Sequence, residues 1–215
     1  MIVVFDAVSS REGLHELSLS LNLDQVTQLY DPSENISRAI LNAMVGLDEL
    51  YSGEIYFDQT PLHDFIQDGP QICKVGYVFD EGIMLSNLSL QENLMLPLRW
   101  LNPHLDEEQT GLLIQNWMQS FELKLDLSKR PVAYHPGQLK LLGFVRTLLL
   151  DPKVMLIDDP FFLLNKIERK VLLKVLSELR NTYPMLIASI DDEFGAEFAD
   201  EVIDLSSFQT NFKLS

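Results

Sequence analysis

An α/β fold built on a mostly parallel sheet with helices on both faces is what this sequence predicts, from three observations. Short runs of continuous apolar residues, Val154-Met155-Leu156-Ile157 and residues 185–188, have the composition of strands buried on both faces. Helix-period segments alternate with such runs along the chain, as in a sheet whose crossovers are helical. No internal repeat, low-complexity segment or linker interrupts them.

Taken in order, residues 2–5 and 17–23 alternate apolar and polar and read as strands of a half-exposed sheet. Residues 26–30 form an apolar strand-like run, and residues 39–47 a helix ending near Gly46. Residues 53–58 read as a short strand after a turn, and residues 75–79 as a buried strand. Residues 88–130 are expected to be mainly helical, with Leu90, Leu94 and Leu98 spaced by four. Within them Asp106, Glu107 and Glu108 start a helix over 110–121, because acidic side chains complement a helix N-terminus. Residues 137–150 and 166–182 are further helices, and 202–205 a last strand. The predicted organisation is one domain over 1–205 and a tail over 206–215. The core and an antiparallel β lobe take 1–87 and 131–205, and an inserted helical lobe takes 88–130.

Composition bounds the function. The chain has 215 residues, 47% hydrophobic and 22% charged, enough for one buried domain or two small lobes sharing a core. A net charge of −16, from 32 acidic and 16 basic residues, argues against nucleic-acid binding and against attraction to anionic lipid. The single cysteine, Cys73, allows no internal disulfide and sits in an apolar context that suits a buried thiol. The N-terminus lacks a signal-peptide pattern, and no run of about 20 apolar residues would span a bilayer. The expectation is a cytoplasmic chain with no direct membrane insertion. His15, His63, His104 and His135 share no ligand spacing with Cys73 or each other, so no metal site is read.

The stretch 31–38, DPSENISR, lies between a strand and a helix, where a phosphate-gripping loop would stand. A working loop reads G-x-x-x-x-G-K-[ST]. Here Asp31 and Ile36 replace the two glycines, Ser37 the lysine and Arg38 the serine or threonine. Asp31-Pro32-Ser33-Glu34 is also good turn and cap material, so an ordinary helix start is the competing reading.

In its run of motifs, the chain resembles the ATP-binding subunits of ABC transporters. DPSENISRAILNAMVGL (31–47) lies without a gap over that family's phosphate loop and helix. Ser52 to Ile55 give a family-like SGEI turn, and GYVFDEG (76–82) matches the glutamine-loop region. SNLSLQENLMLPLR (86–99) resembles the helix that follows it. YHPGQ (134–138), comprising Tyr134, His135, Pro136, Gly137 and Gln138, stands at the LSGGQ signature. VMLIDDPF (154–161) stands where VLLLDEPF is usual, and SIDDEFGAEFADEV (189–202) at the histidine loop. The wording of 76–99 is closest to importers and to lipid-trafficking members of the mammalian-cell-entry type. The resemblance implies an ABC-type P-loop NTPase fold and spans about residues 1–205.

It also implies what each departure removes. Ile36 stands where glycine permits a left-handed backbone, which costs about 1–2 kcal/mol for other residues, so a different loop shape is expected. Ser37 lacks the ammonium that binds phosphate. Arg38 places a cation beside the Mg²⁺ position. Asp31 and Glu34 add negative charge where phosphate would lie, and Ser33 and Asn35 complete the pocket remnant. Asp158 matches the Mg²⁺-water aspartate. Asp159 replaces the general-base glutamate with a carboxylate set back by about 1.5 Å. As a plain pattern, Asp158-Asp159-Pro160 equally suits a buried strand end. Asp80 stands at the glutamine, and Ile190 at the switch histidine, where it is expected in the core. No aromatic stands near Arg11 and Glu12 to stack on adenine. Asn165 replaces the aspartate of a dimer-contact loop. Arg38 is expected to pair with Asp158 within about 6 Å, a reach set by side-chain length.

The losses fall on nucleotide-touching residues, while the segment that receives the membrane subunit in the family persists: Phe79, Asp80, Glu81, Met84, Leu85, Leu88 and Leu94. Those apolar residues equally suit the core of the helical lobe. The resulting expectation is a catalytically degenerate pseudo-ATPase that binds no cofactor. It would dock on permease subunits or a partner ATPase, as a homodimer or heterodimer, in transport that includes lipid transport, on the cytoplasmic face of the membrane. Two alternatives stand beside it: an atypical weak ATPase using Asp158, Asp159, ATP and Mg²⁺, and a soluble regulator.

Overall fold

The structure, a computed structural model, describes residues 1–67, 75–101, 104, 106–191 and 197–206. Cys73, part of the histidine-loop stretch (192–196) and nearly all of the tail (207–215) lie outside the described residues.

Among the described residues, sixteen elements alternate in the way the apolar runs predict. Strands β1 (Ile2–Ser10), β2 (Leu17–Asn22) and β3 (Val26–Tyr30) lead to helix α1 (Asn35–Met44). Strands β4 (Leu50–Phe57) and β5 (Thr60–Pro61), helix α2 (Leu62–Gln67) and strand β6 (Val75–Val78) follow. Helices α3 (Leu90–Leu101) and α4 (Glu107–Ser120), a 3-10 turn (Pro131–Ala133) and α5 (Pro136–Leu148) precede β7 (Val154–Asp158). Helix α6 (Lys166–Leu179), β8 (Met185–Ser189) and β9 (Glu201–Asp204) complete the described chain.

Two sheets result. An antiparallel sheet has the order β2-β1-β4-β5. A parallel sheet has the order β6-β7-β8-β3-β9. Residues of β7 alternate between two apolar cores, because successive side chains in a strand point to opposite faces. Met155 and Ile157 join the core formed with α3, α4, α5 and α6. Val154 and Leu156 join the core formed with α1 and the antiparallel sheet. Burial on both faces is why these strands are continuously apolar.

Several boundaries differ from the sequence reading. Helix α1 begins at Asn35 rather than 39, because the Asp31 carboxylate accepts from the Ile36 and Ser37 N–H groups and so supplies its start. It ends as expected, with Gly46 at φ +71°. Strand β4 begins earlier, at Leu50. The short β5 and α2 had no periodic signal strong enough to find. Residues 121–130 are turns rather than helix.

Candidate functional site

The parallel strands β3, β6, β7 and β8 end at one edge of their sheet, the place where open α/β folds assemble sites. Four loops meet there, after Tyr30, Val78, Asp158 and Ser189.

The loop after β3 is closed on itself. Asp31 is fully buried. Its Oδ1 accepts from Ser33 N at 3.0 Å and Ser33 Oγ at 2.7 Å. Its Oδ2 accepts from Ile36 N at 2.8 Å and Ser37 N at 2.9 Å. Burial opposes ionisation here, but the bonds from Ser37, Ser33 and Ile36 outweigh it and hold the carboxyl below its ordinary range. The carboxylate thus occupies the N–H groups with which a helix start would hold an anion. Glu34, not Ile36, takes the left-handed conformation, at φ +60°, and Ile36 lies inside α1 with its side chain in the core.

Arg38, one turn into α1, points across the strand ends. Its Nη2 donates to Asp80 Oδ2 at 2.7 Å. Its Nε lies 2.9 Å from Asp158 Oδ2, within the expected reach, although the N–H is not aimed at that oxygen, so this contact is ionic. Burial opposes the charge on Arg38, but Asp158 and Asp80 overcome it and raise the pKa. Asp158 is 5% exposed. Burial pushes its carboxyl up to about 6 despite the neighbouring Arg38 and Lys140.

Sequence reasoning missed Lys140. It is fully buried on α5, and its Nζ donates to Phe79 O at 2.7 Å, Asp158 O at 2.8 Å and Asp159 O at 2.9 Å. Burial lowers its pKa to about 8. The signal in the sequence was a lysine on the apolar face of α5, among Leu139, Leu141 and Leu142.

Asp159 serves a turn. Its backbone has φ +32°, and Oδ1 accepts from Phe161 N at 3.3 Å. Ile190 is a correction: it is 47% exposed rather than core, and with Asp159, Phe161, Phe162 and Arg169 it lines an open cleft of about 410 Å³. Ile190 follows the last residue of β8, so the two-sided cover of the sheet ends before it, and Gln28 Nε2 holds the backbone on either side through the Ser189 and Asp191 carbonyls. Asn165 caps α6, accepting from Ile167 N and Glu168 N.

The segment 134–138 is also occupied from within. Tyr134 Oη donates to Asp126 O and accepts from Asp126 N. His135 caps α5 through Nδ1, which accepts from Gly137 N at 3.1 Å, and Gln138 Oε1 accepts from His135 N. Pro136 takes the first helical position. A Cβ on Gly137 would lie 2.9 Å from the Leu163 backbone oxygen and 2.3 Å from Glu168 Oε2, so the close approach of the chain at Leu163 favours glycine there.

The apolar group over 79–94 divides. Leu94 is fully buried in the α3–α4–α5 core, which corrects its assignment to a docking surface: position 94 falls on the inward stripe of α3. Phe79 stacks on Tyr77 with centroids 4.4 Å apart. Met84 is packed against the core, and Leu88 is half-buried. Glu81 and Leu85 are exposed. No helix among the described residues is long and apolar enough to cross a membrane, and no described cluster could hold a metal ion.

An Mg²⁺-nucleotide needs open N–H groups at the start of α1 and carboxylate oxygens open to the metal. Here Asp31 holds the first and the Arg38 guanidinium lies against the second, so the residues do not fit that group.

Comparison with known proteins places this geometry. A family model described as ABC transporter matches residues 14–162. A sulfate/thiosulfate import ATP-binding protein CysA of Halalkalibacterium halodurans is 24% identical over 212 residues, covering 94% of this chain and 58% of its own. Its counterpart in Bacillus cereus is 26% identical, again covering 94% and 58%. The chain therefore spans less than two thirds of these relatives. Among solved structures, the dimeric post-hydrolysis state of the ATP-binding cassette MJ0796 bound to ADP and Pi superposes with a TM-score of 0.82. It is 20% identical and covers 96% of this chain and 94% of that one. CbiO1 of Clostridium perfringens, part of the transporter complex cbiONQ, gives 0.71 at 20% identity, covering 94% and 83%.

Proposed function

Because this chain belongs to the ABC transporter family, we propose that it is an ATP-binding-type subunit that has exchanged nucleotide chemistry for a scaffolding or regulatory role. It docks on permease subunits of a transporter or on a partner ATPase, at the cytoplasmic face of the membrane, alone or as one half of a dimer. One observation carries this reading: Asp31 and Arg38 occupy, from within the chain, the anion-binding N–H groups and the approach to Asp158. The names of the relatives support an importer-type transporter. The wording of 76–99 is the sole support for lipid as cargo.

The atypical-ATPase alternative gains nothing from the geometry. Asp159 is turned into a backbone cap, and Ile190 offers no proton-bearing group.

Calorimetric titration with ATP and Mg²⁺ tests the reading. No saturable heat is expected at millimolar ATP. Binding tighter than about 100 μM, worth about 5.5 kcal/mol, would overturn it and move the ATPase alternative to first place.

A further inference from the structure

Among the described residues the two sheets have four edge strands, and three of them are guarded. β5 carries Pro61, which has no N–H to offer, and β9 carries Glu201 and Asp204. On β6 the Tyr77 carbonyl is met by Thr147 Oγ1 of α5 at 3.1 Å. β2 has none of these devices. Its sequence, LSLSLN, holds no charge and no proline, and among the described residues it is paired along one side only, to β1. Leu17 and Leu21 join the core, while Ser18, Ser20 and Asn22 are exposed. The other side of β2 is a row of unpaired backbone N–H and C=O groups, the template on which an extended chain pairs.

The charge around that edge sets what an added chain must carry. The four strands of the antiparallel sheet contain no lysine or arginine. Asp6 and Glu54 stand directly opposite each other in the β1–β4 ladder, an arrangement that costs stability when no cation lies between them. Along β1 the exposed Ile2 and Val4 share the outward row with Asp6. Residues 1–67 hold eleven acidic side chains and two arginines, of which Arg38 is taken by Asp80 and Asp158. Neighbouring strands lie about 4.8 Å apart, so a strand added to β2 would run about 10 Å from β1. The small Ser18 and Ser20 leave a lysine or arginine side chain room to lie across them toward Asp6.

We propose that β2 takes an extended, lysine- or arginine-bearing segment of a partner protein as a further strand of the antiparallel sheet. The backbone ladder supplies the affinity, and the acidic lobe selects the sign of the partner's charge. A second copy of this chain would bring a second lobe of the same sign, and nucleic acid or anionic lipid would be repelled. The edge belongs to the other sheet from the strand-end loops, so its occupancy is independent of whether those loops bind nucleotide.

Fluorescence polarisation of a labelled peptide, Lys-Val-Lys-Val-Lys-Val-Lys, titrated with the full chain tests it. Saturable binding is expected, and at saturation the amides of residues 17–22 should exchange hydrogen about tenfold more slowly or slower still. Proline in place of the peptide's central valine, at the same charge, should weaken binding by about tenfold or more, because a ladder donor is lost. The same peptide with glutamate for lysine should not bind. Ser20→Lys should weaken binding of the lysine peptide by about tenfold, through a like charge at the edge. Ser177→Lys, which adds the same charge at an exposed position of α6, should change it by less than about twofold. No binding, or binding of the glutamate peptide, would overturn the proposal. Equal binding of the proline peptide, or equal effects of the two lysine variants, would also overturn it, by showing attraction to net charge alone. A dimer of the unaltered chain in sedimentation velocity, dispersed by Ser20→Lys, would overturn it in favour of a second copy.

Discussion

Asp31 supplies the start of α1 from within the chain. Its carboxylate accepts four hydrogen bonds from three residues, Ser33 in the loop it begins and Ile36 and Ser37 in the first turn of α1. Removing it leaves the N–H groups of Ile36 and Ser37 buried without an acceptor, at about 1–3 kcal/mol each. Asp31→Ala is therefore expected to destabilise the chain by about 2–5 kcal/mol, measured by urea unfolding. Wild-type stability in that variant would mean that the carboxylate is a bystander.

Between elements, the charges at the strand ends do the joining. Arg38 links α1 to the ends of β6 and β7, and Lys140 links α5 to the same two ends. Neither charge is cheap to keep, because desolvation opposes both. The pH dependence follows. The Asp158 carboxyl titrates near 6 in the fold, against 3.8 for the ordinary group. The folded chain therefore holds that proton more tightly than the unfolded chain does. Its contribution to stability is present below about pH 4 and is lost as pH rises through about 6. Lys140 has the opposite sense: its folded value near 8 lies below 10.5. The unfolded chain binds its proton more tightly, so this group adds stability as pH rises from about 8 to above 10. Unfolding free energy measured between pH 4 and 7 should fall more steeply in the unaltered protein than in Asp158→Asn. Parallel curves would show that Asp158 carries no shift.

For the whole molecule, the distinction that matters is between apolar residues used to fold and apolar residues left exposed. Leu94 and Leu85 lie nine positions apart in one apolar stretch, yet one is fully buried and the other half exposed. Leu94→Ala should cost about 2–5 kcal/mol of stability, as buried leucine truncations do. Leu85→Asp should leave stability within about 0.5 kcal/mol and weaken co-purification with a detergent-solubilised permease partner. A variant at 85 that docks normally would remove this stretch from the interface.

The sequence by itself determined the fold class, because short continuous apolar runs at 154–157 and 185–188, alternating with helix-period segments, fit strands covered on both faces by helices. It also exposed the altered loop, since a missing glycine or lysine is visible without coordinates. The pairing of Arg38 with Asp158 was legible too, because motif order placed both at one strand edge. Tertiary structure alone decided what fills the site. That Asp31 turns inward on the Ile36 and Ser37 N–H groups depends on a loop conformation that residue types do not fix. That Asp80 shares Arg38, and that Lys140 is buried under three carbonyls, depend on contacts spanning 42, 61, 18 and 19 residues of sequence. Ile190 went the wrong way because hydrophobicity states what a side chain prefers, and only packing states which preferences the fold can satisfy; for Leu94, packing chose the core reading over the docking one.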